Sequence, residues 1–153
     1  MNNKLGQIKS EERVREHGEV FTNPREVKAM LDLIPNITID MTFLEPTCGN
    51  GNFVVEIIKR KFDLCKKHDD FIVALTSVYA IDIMADNIQE CKNRVLELYK
   101  TIVPKKVQNH CPEKGIKLVE CILDTHIFQG NSLAIMQLLD DKIERINVIS
   151  KFL

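Results

Sequence analysis

The stretch from Thr42 to Phe53, TFLEPTCGNGNF, constrains the chain more than any other part of it. An apolar run ends on Glu45, turns through Pro46, and passes Gly49 and Gly51, which are separated by a single residue. Both glycines remove a Cβ where the backbone must turn sharply, and they let a ligand lie against the main chain. A segment with helical apolar spacing follows. The N–H groups at a helix start lack intrahelical partners and suit an anion or a carboxylate. A strand, an acid, a glycine turn and a helix in that order build a binding corner.

The remainder of the chain repeats the alternation. Asn23-Pro24-Arg25-Glu26 carries a helix start, with Asn23 as cap and Pro24 at the first position. Val27, Met30, Leu31 and Ile34 follow on one face, and Pro35 closes the helix. Ile39 to Leu44 reads as a strand, Phe53 to about Lys67 as a helix, and Ser77 to Asp82 as a second strand that again ends on a carboxylate. Asp86 suits a cap for a helix whose inner face holds Ile88, Cys91, Val95 and Leu98. Residues 100–117, with Pro104, Pro112 and Gly115, read as an irregular connection carrying basic Lys105 and Lys106. Thr125 to Gln129 is expected to form a third strand, Ser132 to about Asp141 a short helix, and Ile146 to Ile149 a fourth strand. Strands alternating with helices predict an α/β, doubly wound, Rossmann-like architecture on a mainly parallel sheet. Ligands bind such sheets outside the carboxyl ends of the strands, where the glycine turn lies.

Composition narrows the function classes. The 153 residues fit one domain, and an apolar content of 44% can bury a core. Lysine plus arginine (21) nearly balances aspartate plus glutamate (22), which argues against wholesale coating of nucleic acid. No apolar run approaches the ~20 residues of a membrane span. The stretch from Met1 to Glu16 has no apolar signal-peptide core, so the expectation is a soluble, cytoplasmic protein without membrane contact. The five cysteines include no C-x-x-C pair, and reduced, mostly buried thiols are expected. His110, Cys111, Cys121 and His126 are metal-binding types at spacings that match no common site, so no metal is expected.

Asp82 lies 31 positions beyond Gly51, at the end of the next strand, where its carboxylate can accept hydrogen bonds from both hydroxyls of a ribose. The pair suggests a cofactor containing adenosine. A dinucleotide fingerprint wants a third glycine where Val54 stands and an acid about 20 residues on. S-adenosylmethionine has no pyrophosphate, tolerates Asn52 and Phe53, and brings a sulfonium and an ammonium for which Glu45 is a partner. These departures favour S-adenosylmethionine over NAD. A plain strand-to-helix turn, with Asp82 as a helix cap, is the bland alternative.

Four stretches together resemble the gamma-type adenine-specific DNA methyltransferases of restriction–modification systems. They are EHGEVFTNPREVKAMLDLI (Glu16 to Ile34), FLEPTCGNGNF, YAIDIMADN (Tyr79 to Asn87) and FQGNSL (Phe128 to Leu133). The resemblance runs from about Arg13 to the C-terminus. It implies an S-adenosylmethionine-dependent methyltransferase fold over residues 21–153, while residues 1–20 read from their own composition as a charged, mobile lead-in. By that resemblance Phe21 and Thr22 flank the methionine end of S-adenosylmethionine, and Glu45, Thr47, Gly49, Gly51 and Phe53 form its main cradle. Asp82 binds the ribose, Ile83 packs on the adenine, and Asn131 sits by the adenine amino group, where the family usually has aspartate. Phe21 also fits a hydrophobic staple onto the following helix, and Asn131 a cap for the helix beginning at Ser132.

The family grips a flipped-out adenine with an Asn-Pro-Pro-Tyr turn after its fourth strand. That turn does not occur in this sequence. The expectation is therefore a methyltransferase domain incomplete at its C-terminus, inactive alone, that engages DNA only through a missing part or a partner chain. A non-catalytic cofactor-binding or regulatory module is the alternative. Downstream DNA lacking such codons in every frame counts against an interrupted gene. An uncovered sheet edge further predicts a homodimer or a partner subunit. A strictly monomeric protein by light scattering at high concentration would overturn that.

Overall fold

The computed structural model describes residues 7–107, 112–135 and 137. Helix α1 (Glu11–His17) is capped by the Ser10 side chain, which accepts from the Arg13 amide, and ends on Gly18 in the left-handed conformation. Residues expected as a mobile lead-in thus form a helix, held to the rest of the fold by ion pairs described below. Helix α2 (Pro24–Leu31) is capped by Asn23, which accepts from the Arg25 amide. It stops before Ile34, and Met30 is exposed, so its inner face reduces to Val27 and Leu31.

Strand β1 (Phe43–Glu45) leads through the glycine turn to helix α3 (Asn52–Leu64) and then helix α4 (His68–Thr76). Strand β2 (Val78–Asp82), helix α5 (Ala85–Lys106), helix α6 (Pro112–His126) and strand β3 (Ile127–Gln129) complete the described elements. The sheet is parallel in the order β1-β2-β3. Leu44 pairs with Tyr79 and Glu45 with Ala80 on one side of β2, while Ala80 pairs with Ile127 and Asp82 with Gln129 on the other. The fold is therefore mixed α/β with a parallel sheet. The expected fourth strand, and most of the helix expected from Ser132, lie outside the described residues.

Three further stretches depart from the sequence reading. Ile39 to Met41 is not strand, because the carbonyls of Ile39 and Met41 accept from the buried Lys61 ammonium rather than from a neighbouring strand. Residues 68–76, left unassigned above, form α4. Asp70 initiates it by accepting from the amides of Lys66 and Lys67, and Phe71, Ala74 and Leu75 supply its buried face. Much of the expected irregular connection is helical too. Helix α5 runs through Pro104, and the Lys106 ammonium docks its end onto the carbonyls of Phe62 (2.7 Å) and Asp63 (2.9 Å) at the C-terminus of α3. A cation there meets the negative end of the helix dipole.

Helices α3 to α6 pack on one another and on β2. Their core closes on the sheet face that carries Val78, Ala80 and Ile127, all at most 1% exposed. Phe62 stands edge-on to Phe71 with ring centroids 4.9 Å apart and to Tyr99 at 6.4 Å, a geometry that satisfies the ring quadrupoles. The opposite face presents Leu44, Tyr79 and Phe128 to solvent. Parallel sheets are normally covered on both faces, so this row is an uncovered surface among the described residues. Among those residues no helix is long and apolar enough to cross a membrane. Of the cysteines described, Cys48, Cys65 and Cys91 are buried and Cys121 is exposed, all as free thiols.

Candidate functional site

The glycine turn is held from both ends. The Cys48 amide donates to the Ile81 carbonyl (2.9 Å), fixing the turn to β2, and the Gly51 amide donates back to the Cys48 carbonyl (2.8 Å). Gly49 and Gly51 have φ of 51° and 91°, a region costly for other residues. The two serve different ends. A Cβ on Gly49 would stand 3.0 Å from the Phe21 ring, which lies across the turn. A Cβ on Gly51 would stand 2.5 Å from the Cys91 sulfur, so Gly51 lets α3 and α5 approach each other. Gly51 caps α3 without a side-chain hydrogen bond, and no acid occupies the first helical turn. Arg94 braces the turn from α5 by donating to the Asn50 carbonyl (2.7 Å) and to Asn52 Oδ1 (2.8 Å).

Asp82, at the tip of β2, faces this turn. Its Oδ2 accepts from the Gly49 amide (2.8 Å) and its Oδ1 from the Met84 amide (2.8 Å) and Asn87 Nδ2 (3.3 Å). The two strand tips are thus one hydrogen-bonded unit. Glu45, at the tip of β1, accepts from the Thr47 amide at 3.3 Å, and burial pushes its carboxyl pKa up. A carboxyl so placed gains when a cationic ligand returns the solvation that burial removes. Cys48, on the turn between them, has its thiol pKa raised by a hydrogen bond with Cys91 and by burial, so it is no ready nucleophile.

The segment before α2 closes the corner. Phe21 is fixed through its backbone to Gln7, whose carbonyl accepts from the Phe21 amide at 2.7 Å and whose side chain donates to the Phe21 carbonyl at 3.2 Å. Asn52, in the first turn of α3, donates to the Thr22 carbonyl (2.8 Å). Upstream, Arg13 pairs with Glu19 and Asp86, each at 2.7 Å, while Lys9 pairs with Asp86 (2.9 Å) and Glu90 (3.0 Å). Hydrogen bonds from Arg13 and Lys9 hold the Asp86 carboxyl well below the usual carboxylate range.

These elements enclose a cavity of about 610 Å³, a size usual for a cofactor site. Of the residues singled out from sequence, Phe21, Thr22, Glu45, Thr47, Gly49, Phe53, Asp82, Ile83 and Asn131 line it together. Gly51 does not; its place is behind the wall, against Cys91. Asn131 lines the cavity and also caps the helical turn after it, its Oδ1 accepting from the amides of Leu133 (3.1 Å) and Ala134 (3.4 Å). That is the capping alternative raised from sequence, and it occupies the oxygen that the resemblance directs to an adenine. His17, Glu19 and Met84 also line the cavity and were not singled out. Glu19 could have been suspected from its place beside the Phe21-Thr22 segment; for the others the sequence carries no local signal.

No protein family model matches the chain. No solved structure matches it. An 80-residue stretch, 52% of the chain, is 32% identical to the type II methyltransferase M.VspI of Vibrio sp. (strain 343). That stretch covers 17% of the relative's length. The similarity supports a methyltransferase relationship.

Proposed function

We propose that the chain is the S-adenosylmethionine-binding part of a DNA adenine-N6 methyltransferase of the restriction–modification type, built on a Rossmann-like sheet. The observation that carries this reading is the joint cavity at the tips of β1 and β2, where Gly49 and Asp82 are hydrogen-bonded at 2.8 Å and which Glu45 also lines. The lining suits the parts of the ligand. Asp82 keeps one acceptor site, on Oδ2, for a ribose hydroxyl beyond its three present donors. Ile83 is 52% exposed and offers an apolar surface for a flat ring. Glu45, Phe21 and Thr22 all line the cavity, and a desolvated carboxylate and an aromatic ring both favour the positive charge of a cationic, amino-acid-like tail.

When bound, S-adenosylmethionine supplies a methyl group activated by a positive sulfur. The chain's own residues bind and orient it, with Asp82 fixing the ribose and Glu45 facing the charge. Contacts to a flipped adenine are assigned to a segment or partner outside the described residues, in keeping with the absence of an Asn-Pro-Pro-Tyr turn from the sequence.

Calorimetry with S-adenosylmethionine, S-adenosylhomocysteine and NAD tests the reading. Binding of the first two and none of NAD is expected. Preferential binding of NAD, or no binding of any of the three, would overturn it. A methyl-transfer assay on adenine-containing duplex DNA then separates a catalytic chain from one that needs a partner.

A further inference from the structure

We infer that Asn87 is the positioning residue that couples the N-terminal segment of residues 7–22 to the strand-end carboxylate of Asp82. Asn87 sits in the first turn of α5 and is only 1% exposed. Its Oδ1 accepts from the Lys9 ammonium at 2.7 Å. Its Nδ2 donates to Glu19 Oε1 at 2.6 Å and to Asp82 Oδ1 at 3.3 Å. An amide has two hydrogens, and here each is directed to a different carboxylate. Turning the amide over would set its oxygen against both carboxylates and its hydrogens against an ammonium. One orientation is therefore enforced.

That orientation joins two parts of the cavity wall that are distant in sequence. On one side, Glu19 and Lys9 belong to the segment that carries Phe21 over the glycine turn. On the other, Asp82 receives Gly49 on Oδ2 and Met84 and Asn87 on Oδ1, so one donor from the glycine turn and two from the start of α5 define the carboxylate plane. Phe21 is the one buried residue among residues 7–22, and Lys9, Arg13 and Glu19 tie that segment to α5 through polar contacts. A segment anchored by a single buried apolar side chain and otherwise by polar contacts opens at lower free-energy cost than the helical core. When it lifts, Asn87 loses Glu19 and Lys9 together, and the amide is released to rotate away from Asp82. The state of the N-terminal segment thereby reaches the carboxylate that, on the reading proposed above, receives the ribose.

Amide hydrogen exchange by NMR on the full chain tests this without any ligand. In Asn87→Ala the Gly49 amide, which donates to Asp82, should exchange at least tenfold faster, while the Val95 amide in the interior of α5 keeps its protection. A merely structural loss would speed both. Glu19→Ala leaves α5 intact and keeps the test open if Asn87→Ala fails to fold; it should also speed exchange at Gly49. Combined with Asn87→Ala it should add nothing further. Unchanged Gly49 protection in either variant, or effects that multiply in the double variant, would overturn the inference. With S-adenosylhomocysteine as probe, Asn87→Ala should bind about tenfold more weakly. Should the wild-type chain bind no adenosyl ligand, the functional reading falls, and the exchange data still decide the role of Asn87.

Discussion

Replacing Asp82 by alanine is expected to weaken binding of S-adenosylhomocysteine by a factor of ten or more. A hydrogen bond to a charged group contributes about 1.5–3 kcal/mol, and each 1.4 kcal/mol corresponds to about tenfold in affinity. The variant loses more than a ribose acceptor. The amides of Gly49 and Met84 and the side chain of Asn87 all donate to this carboxylate, so the alanine variant also loosens the glycine turn that lines the cavity. Asp82→Asn discriminates the two losses. It keeps the shape and one acceptor oxygen but sets an NH2 where a donor now points in, so its affinity should fall between alanine and wild type. Calorimetry measures both. An alanine variant that binds within twofold of wild type would remove Asp82 from the site.

What the sequence disclosed and what it concealed divide along local and long-range causes. The glycine turn and the acids at two strand tips were legible because a sharp turn needs Gly at φ of 51° and 91° and a strand end is marked by its apolar run. The helix cap at Asn23 followed from the same local chemistry. Helix α6 was hidden by Pro112 and Gly115, which read as breakers. A proline is tolerated in the first turn of a helix, and the buried Val119, Ile122 and Leu123 decide the segment through packing. Helix α4 was legible in principle, since Phe71, Ala74 and Leu75 carry the helical spacing. The strand expected over Ile39 to Leu44 was cut short by a lysine some twenty positions away. The web of Lys9, Arg13, Glu19, Asp86 and Asn87 spans up to 78 positions, and no window of sequence could have shown it. The site was thus readable as a corner of backbone and two acids, and unreadable as a cavity walled by the N-terminal segment.

Lys61 supplies the second large effect, and it is one of pH. The side chain is fully buried, with its ammonium on the carbonyls of Ile39 (3.1 Å) and Met41 and on the Ser77 hydroxyl, and 5.1 Å from the centre of the Phe43 ring. Burial lowers its pKa from 10.5 to about 8. The neutral amine is also well accommodated, because its two hydrogens can serve the two carbonyls while its lone pair accepts from Ser77. Below pH 8 the folded and unfolded chains both hold the proton. Between about 8 and 10.5 the folded chain has released it and the unfolded chain has not, so stability rises with pH through that window. At about 1.4 kcal/mol per pH unit the rise can reach about 3 kcal/mol. Buried thiols act in the opposite sense. Cys65 is pushed up to about 11, so the unfolded chain gives up that proton first and stability falls in the same range. The wild-type curve alone therefore mixes the two, and the comparison with Lys61→Met reads the lysine together with its charge effect on the neighbouring Cys65 thiol. The stability of wild type minus that of Lys61→Met, from urea unfolding at pH 7 to 10.5, should grow with pH by up to about 3 kcal/mol. A difference that stays flat or shrinks across the window would mean that the ammonium keeps its proton in the fold, held by its three oxygen partners against the cost of burial.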